Sequence, residues 1–169
     1  MSLLTVIGDT HGRTEHRLEG AALASVERAD HVLHVGDFTT EAVYGAIDAI
    51  ATELTAVYGN NDEPALKRTL PQVATLDWAG LRIVATHGHE HTDTALSMLA
   101  REQAADLVVV GHSHRPRIDT IGETQRLNPG SYADPRRYEP AFADIQANRE
   151  GSRIRLRQPD GTELMEVNH

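Results

Sequence analysis

Cysteine is absent from the 169-residue chain, which excludes disulfides and any thiolate metal ligand. Lysine is almost absent: Lys67 is the one lysine among sixteen basic residues. Long apolar runs are missing as well. A stretch such as Leu107–Val110 is far too short to span a bilayer. The opening MSLLTVIGDT lacks the basic start, apolar core and small-residue cleavage site of a secretory signal. No internal repeat, low-complexity tract or linker interrupts the chain, so residues 1–169 are expected to form one domain. The expectation is a soluble, cytoplasmic protein with no membrane partner.

What is present in excess is acid. The formal charge is −9, which repels nucleic-acid backbones and anionic lipids, so bulk nucleic acid is not an expected partner. Two readings account for many acids with almost no lysine. One is adaptation to a saline cytoplasm, where self-repulsion is screened; the other is a codon bias toward arginine.

The first half alternates strand and helix signals. Leu3–Ile7, Val32–Val35 and Leu54–Tyr58 read as buried strands, each followed by glycine. Helical spacing joins them over Thr14–Arg28 and over Glu41–Ala51, the latter with Thr40 as N-cap. This rhythm predicts parallel strands with crossover helices. In the second half, Val73–Trp78 and Leu81–Thr86 flank an Ala-Gly turn as a hairpin. A helix over Asp93–Ala105 and a strand over Leu107–Val110 follow. Short strands are then expected at Arg117–Ile121, Thr124–Leu127, Ala141–Gln146, Arg153–Arg157 and Glu163–Val167. These elements predict an α/β fold with two sheets face to face and helices outside.

Five segments repeat one arrangement, an apolar strand and then a loop carrying metal-ligand side chains. They are Gly8-Asp9-Thr10-His11, Gly36-Asp37, Gly59-Asn60-Asn61-Asp62, Thr86-His87-Gly88-His89 and Gly111-His112-Ser113-His114. Ligands of open α/β sheets gather at the carboxyl ends of strands, so these loops are expected to converge. Asp9, His11, Asp37, Asn60, His87, His112 and His114 make a set of two carboxylates, one amide and four imidazoles. Mixed oxygen and nitrogen donors suit divalent transition metals better than Ca²⁺. The expected ion is Mn²⁺, ahead of Ni²⁺, Fe²⁺, Zn²⁺ or Co²⁺. Seven donors exceed the needs of one tetrahedral site, so two ions are implied.

The series D-x-H, GD, GN-x-D, HGH and GH-x-H resembles the calcineurin-like metallophosphoesterase superfamily. The short chain and Asn128-Pro129-Gly130-Ser131, followed by Pro135-Arg136, are similar to its small bacterial and archaeal phosphodiesterase branch. The resemblance covers Leu3 to Arg136. It implies a four-layer αββα sandwich of two mixed β-sheets flanked by helices. It also implies a division of ligands: Asp9, His11 and His114 on one ion, Asn60, His87 and His112 on the other, Asp37 bridging. Many members carry histidine after the motif asparagine as a proton donor. Here that residue is Asn61, which cannot act as an acid, and His89 is the nearest substitute.

The expected function is hydrolysis of a small phosphodiester by a metal-bridging hydroxide, with Asn60, His112 and His89 as catalytic groups. A phosphomonoesterase is the nearer alternative. A non-enzymatic scaffold is the other, because the superfamily includes a retromer subunit of that kind, although all seven ligand positions are intact here. A homo-oligomer is left open. Asp62 is expected to orient a ligand or the loop. Arg13 and His16 are expected at the surface, His31 and His34 in packing, and Asn128–Ser131 in a structural turn.

If the composition reflects a saline cytoplasm, the melting temperature should rise with KCl. Most of the gain should come well below 1 M, where the Debye length is about 3 Å. A melting temperature flat from low to molar KCl would assign the composition to codon bias.

Overall fold

Leu4 and Val6 point to one side of the first strand, Thr5 and Ile7 to the other, and all are buried. A strand buried on both faces needs a layer on each side, and the rest of the chain supplies them. The computed structural model describes residues 1–169. Its elements run β1 (Ser2–Ile7), α1 (Gly20–Arg28), β2 (His31–His34), α2 (Glu41–Asp48), β3 (Leu54–Ala56) and α3 (Pro64–Thr69). Then come β4 (Val73–Trp78), β5 (Leu81–Thr86), α4 (Asp93–Glu102), β6 (Leu107–Val110), β7 (Arg117–Ile121) and β8 (Thr124–Asn128). The chain closes with β9 (Phe142–Asn148), β10 (Gly151–Arg157) and β11 (Glu163–Asn168).

One sheet has the order β11-β10-β9-β1-β2-β3, the other β4-β5-β6-β8-β7. In the first, β1, β2 and β3 are parallel; in the second, β5, β6 and β8 are parallel. Leu4, Val6, Leu33 and Val35 meet Ile83, Leu107, Val109 and Leu127 between the sheets. Outside the first sheet, Val32 and Ile7 pack with Ala22 and Val26 of α1 and Val43 and Ile47 of α2. Outside the second, Val108 and Val110 pack on Leu96 and Ala100 of α4. The layers are therefore helix, sheet, sheet, helix, as the resemblance implies. No helix is long and apolar enough to cross a membrane.

Several boundaries differ from expectation. The first helix begins at Gly20, not Thr14. Arg17 and Gly20 have φ of 57° and 54°, in the left-handed region that breaks a helix. The Leu18 N–H donates to His16 Nδ1, and the His16 carbonyl accepts from the Tyr132 hydroxyl. His16 is thus half-buried rather than on the surface. The fourth helix stops at Glu102. Ala104 turns left-handed at φ 51°, and the Ala105 N–H returns to the Ala100 carbonyl at 2.8 Å. That is a Schellman end made without glycine. Helix α3 has no counterpart in the sequence reading. It is six residues long with only Leu66 buried, too short to show a period.

His31 and His34 are packed at β2, as expected. On the helix side of β1, Thr5 lies opposite Asp144 of β9. Thr5 Oγ1 meets Ser25 Oγ of α1 at 2.7 Å, and Ser25 Oγ donates to Asp144. Arg157 Nη1 donates to the other Asp144 oxygen at 2.7 Å. One buried carboxylate thereby joins α1, β9 and β10 behind the strand that carries Asp9. Asp144→Ala would leave Arg157 and Ser25 without their acceptor, at a cost of about 3 kcal/mol. Urea unfolding of the two proteins measures this; a difference under about 1 kcal/mol would show that water replaces the carboxylate.

Candidate metal centre

Each ligand-bearing loop leaves the carboxyl end of a strand. Asp9 and His11 follow β1, Asp37 follows β2 and Asn60 follows β3, all on the first sheet. His87 follows β5, and His112 and His114 follow β6, on the second. The parallel strands of both sheets end on the same side, so the two sets of loops meet across the sandwich. The turns are tight: Asp9, His11, Asp37, His112 and His114 have φ of 50°, 48°, 61°, 66° and 59°. Left-handed backbone is unfavourable for most side chains but is tolerated best by Asp, Asn and His.

All seven side chains come together. Asp9 Oδ1 lies 3.4 Å from His114 Nε2 and 3.9 Å from the Nε2 atoms of His11 and His87. Asp37 Oδ2 lies 3.2 Å from His11 Nε2 and 3.4 Å from His87 Nε2. Asn60 Oδ1 sits 3.2 Å from His87 Nε2 and 3.1 Å from His112 Nδ1. The ligand atoms of Asp9, His11 and His114 lie within 4.8 Å of one another, as do those of Asp9, Asp37 and His87.

A cation fits this arrangement. Asp9 Oδ1, His11 Nε2 and His114 Nε2 are buried without hydrogen-bond partners. Buried lone pairs aimed at a common point are costly unless something positive sits among them. Two imidazoles are also set for ligation. His87 Nδ1–H donates to the Val35 carbonyl at 2.7 Å, and His114 Nδ1–H donates to the Asp134 carbonyl. Each Nε2 is thereby left as the lone-pair atom facing inward.

The calcineurin-like phosphoesterase superfamily domain matches residues 1–148. The chain belongs to this superfamily. A probable metallophosphoesterase of Mycoplasma pneumoniae is 30% identical over 154 residues, covering 86% of this chain and 89% of that one. A phosphodiesterase of Escherichia coli strain K12 is 30% identical over 146 residues, covering 82% and 68%. Among solved structures, Vps29 of Entamoeba histolytica in complex with zinc is 25% identical, with TM-score 0.80 and 98% coverage of both chains. A phosphoesterase of this superfamily is a hydrolase, and its candidate ligand groups are those just described.

Electrostatics follow from the two carboxylates. The close approach of the Asp37 carboxylate, then that of Asp9, pushes His11 up to about 9. Burial alone would raise Asp37, but the His11 and His87 rings beside it hold it well below the usual carboxylate range. Burial opposes charge on His87, yet Asp37 and Asp9 prevail and raise it. The carboxylates thus draw onto two imidazoles the positive charge that a divalent ion would carry. His112 and His89 go the other way, lowered by burial and then by the charge of His87.

Residues around the ligands set their positions. Asp62 accepts N–H bonds from Asp37, Gly59 and Thr39 at 3.0, 2.7 and 2.7 Å, tying the loops after β2 and β3 together. Asn61 donates to both Asp37 oxygens, from its backbone and its amide, each at 2.8 Å. Ser131 Oγ donates to the Asp9 carbonyl at 2.7 Å, and Asn128 Nδ2 to the Gly111 carbonyl at 2.9 Å. The Asn128–Ser131 turn therefore braces two ligand loops. Lys67 Nζ donates to the Asn60 carbonyl at 2.7 Å. Sequence reasoning missed that contact, and its uniqueness as the sole lysine was the available signal. The His89 ring lies 5.4 Å from that of His87 and 6.2 Å from that of His112. The His89 and His91 Nδ1 atoms are both buried and unpartnered. Arg13 is exposed.

Gly59 has no room for a side chain. A Cβ there would fall 2.1 Å from Asp37 Oδ1 and 2.5 Å from the Asp37 nitrogen. Gly59→Ala should therefore displace Asp37 and lower both metal content and turnover at least tenfold. Gly45→Ala, in α2 with nothing within 4 Å, serves as the control and should gain about 0.5–1 kcal/mol. Elemental analysis and a phosphatase assay measure the contrast; full metal content in Gly59→Ala would refute the tight approach of the two loops.

Proposed function

We propose that residues 1–169 act as one domain that hydrolyses a small phosphodiester at a two-metal centre. The observation that carries this reading is the convergence of the seven donors around three buried, unpartnered ligand atoms. Asp9, His11 and His114 would hold one ion, Asn60, His87 and His112 the other, with Asp37 shared. The imidazole-rich set favours Mn²⁺ over Ca²⁺. When bound, two such ions supply Lewis acidity toward a phosphoryl oxygen and a water of lowered pKa as nucleophile.

The protein's own groups have separate tasks. Asp9, His87 and His114 are buried, whereas Asn60 and His112 are exposed, so substrate would approach from the Asn60–His112 side. Asn60 Oδ1 faces the two imidazoles, which leaves its Nδ2–H groups for a phosphoryl oxygen. His112 stands beside it to offset charge on the same oxygens. Asn61, engaged with Asp37, holds the shared carboxylate rather than supplying a proton. His89 would serve the leaving oxygen. Its Nδ1 lacks a partner, and the negative charge of a bound ester would raise its depressed pKa.

The scaffold reading has one observation in its favour, the likeness to Vps29. That relative was solved with zinc, so ion occupancy alone does not separate the two readings and turnover does. Chelation should abolish hydrolysis of bis-p-nitrophenyl phosphate, and Mn²⁺ should restore it better than Ca²⁺. A faster rate on the p-nitrophenyl monoester would make the enzyme a monoesterase; no turnover of either ester would favour the scaffold. General acid catalysis contributes about 10²–10⁴-fold. His89→Ala should therefore slow an alkyl ester about 10²-fold more than a p-nitrophenyl ester, whose leaving group needs no proton, with metal content unchanged. Equal losses on both esters would make His89 a substrate-positioning group.

A further inference from the structure

His34 ends β2, three residues before Asp37, and is fully buried. Its ring has two polar contacts, on two different ligand loops. The Gly36 N–H donates to His34 Nδ1 at 3.1 Å, inside the loop that carries Asp37. His34 Nε2 lies 2.8 Å from Thr10 Oγ1, and Thr10 stands between Asp9 and His11. The ring is held flat against Phe38, with centroids 3.6 Å apart and planes 15° apart.

The protons in this chain can be assigned. An Nδ1 that accepts from Gly36 carries no proton, so a neutral ring has its one hydrogen on Nε2 and donates it to Thr10. Burial holds the ring neutral, with its pKa down at about 3. Tyr132 reaches both Thr10 Oγ1, at 3.2 Å, and the His16 carbonyl. A carbonyl only accepts, so the phenol hydrogen goes to His16 and the Thr10 hydroxyl donates to the phenol oxygen. The chain therefore runs one way: Gly36 N–H, His34, Thr10, Tyr132, His16 carbonyl. Each of the three groups between the ends, His34, Thr10 and Tyr132, gives one hydrogen and receives one.

We propose that His34 is a positioning residue that adds a side-chain tie to the two backbone bonds, Asp9 N–H to the Gly36 carbonyl at 2.9 Å and His11 N–H to the Asp37 carbonyl at 3.1 Å, that already join the loop of Asp9 and His11 to the loop of Asp37, and so fixes the spacing of the two carboxylates. The inference rests on the two-metal reading of the site. Asp9 and Asp37 each approach both His11 and His87 with one oxygen, so a small shift of one loop against the other alters every ligand distance. The His34 ring makes no hydrogen bond to either carboxylate, its two polar partners being Thr10 and Gly36. It acts through the Thr10 hydroxyl and the Gly36 N–H, beside residues that already hold left-handed angles.

Three variants divide the contacts. His34→Phe keeps a ring against Phe38 and removes both hydrogen bonds. His34→Asn keeps an acceptor near the Nδ1 position and loses the reach to Thr10. Thr10→Val keeps the shape of Thr10 and removes its oxygen. Mn²⁺ affinity is measured by competition with a chelating dye, the coupling of two bound Mn²⁺ by electron paramagnetic resonance, and folding by melting of the ion-free proteins. His34→Phe should weaken the tighter-coupled pair at least tenfold. Thr10→Val and His34→Asn should match each other at a smaller loss. The double variant His34→Phe/Thr10→Val should bind no more weakly than His34→Phe, because both changes break one link. Should His34→Phe fail to fold, Thr10→Val and His34→Asn carry the comparison. Unchanged Mn²⁺ affinity and coupling with a lowered melting temperature would overturn the inference in favour of plain packing, and so would additive losses in the double variant. A wild type that takes up no ion would overturn the two-metal reading and this inference with it.

Discussion

Everything around the centre answers to one constraint: two carboxylates, Asp9 and Asp37, are buried within reach of each other at the carboxyl ends of the strands. Such a pair is stable only if positive charge and hydrogen-bond donors are fixed around it. Donors come from Asn61 and the His112 N–H, and charge from His11 and His87. The close turns bring these groups in. Five of the candidate ligands sit at left-handed φ, each costing about 1 kcal/mol relative to ordinary backbone. Asp62, Ser131, Asn128 and His34 are the groups that hold those turns against relaxation.

The same constraint separates structural from chemical acidity. The chain carries −9 overall, yet its buried carboxylates Asp9 and Asp37 lie in the cluster that could hold a cation. On the proposed reading, an acidic exterior that repels polyanions suits a substrate small enough to be held by the centre itself and its immediate rim, where Asn60 and His112 are exposed.

Much of this was legible in the sequence because the signals were periodic or paired. Buried strands such as Leu107–Val110 and the Ala79-Gly80 turn, with φ of 49° and 87°, are local features and appear where expected. The five candidate ligand loops were readable because each repeats a strand followed by a donor, with glycine beside it. Other features had no local signature. Leu18 has helical spacing with Ala22, but its burial comes from a loop pinned by Tyr132, 114 positions away in the chain by number. Asn61 reads as a missing acid; only the fold reveals that both its donors go to Asp37. His34 reads as a core histidine, and it is one, but which atoms it meets depends on how β1 and β2 pair.

The candidate ligands are divided between the sheets, three loops from one and two from the other, and cross-sheet bonds join them. His87 of the second sheet bonds to the Val35 carbonyl of the first, and the His112 N–H to Asp9. A centre built this way is a gauge of sheet alignment. Sliding or rotating one sheet on the other leaves each half of the ligand set intact but parts the halves. Volume changes at Leu33, Val35, Val109 or Leu127 in the shared core would therefore reach the chemistry as a misfit between two correct half-sites, with no ligand touched.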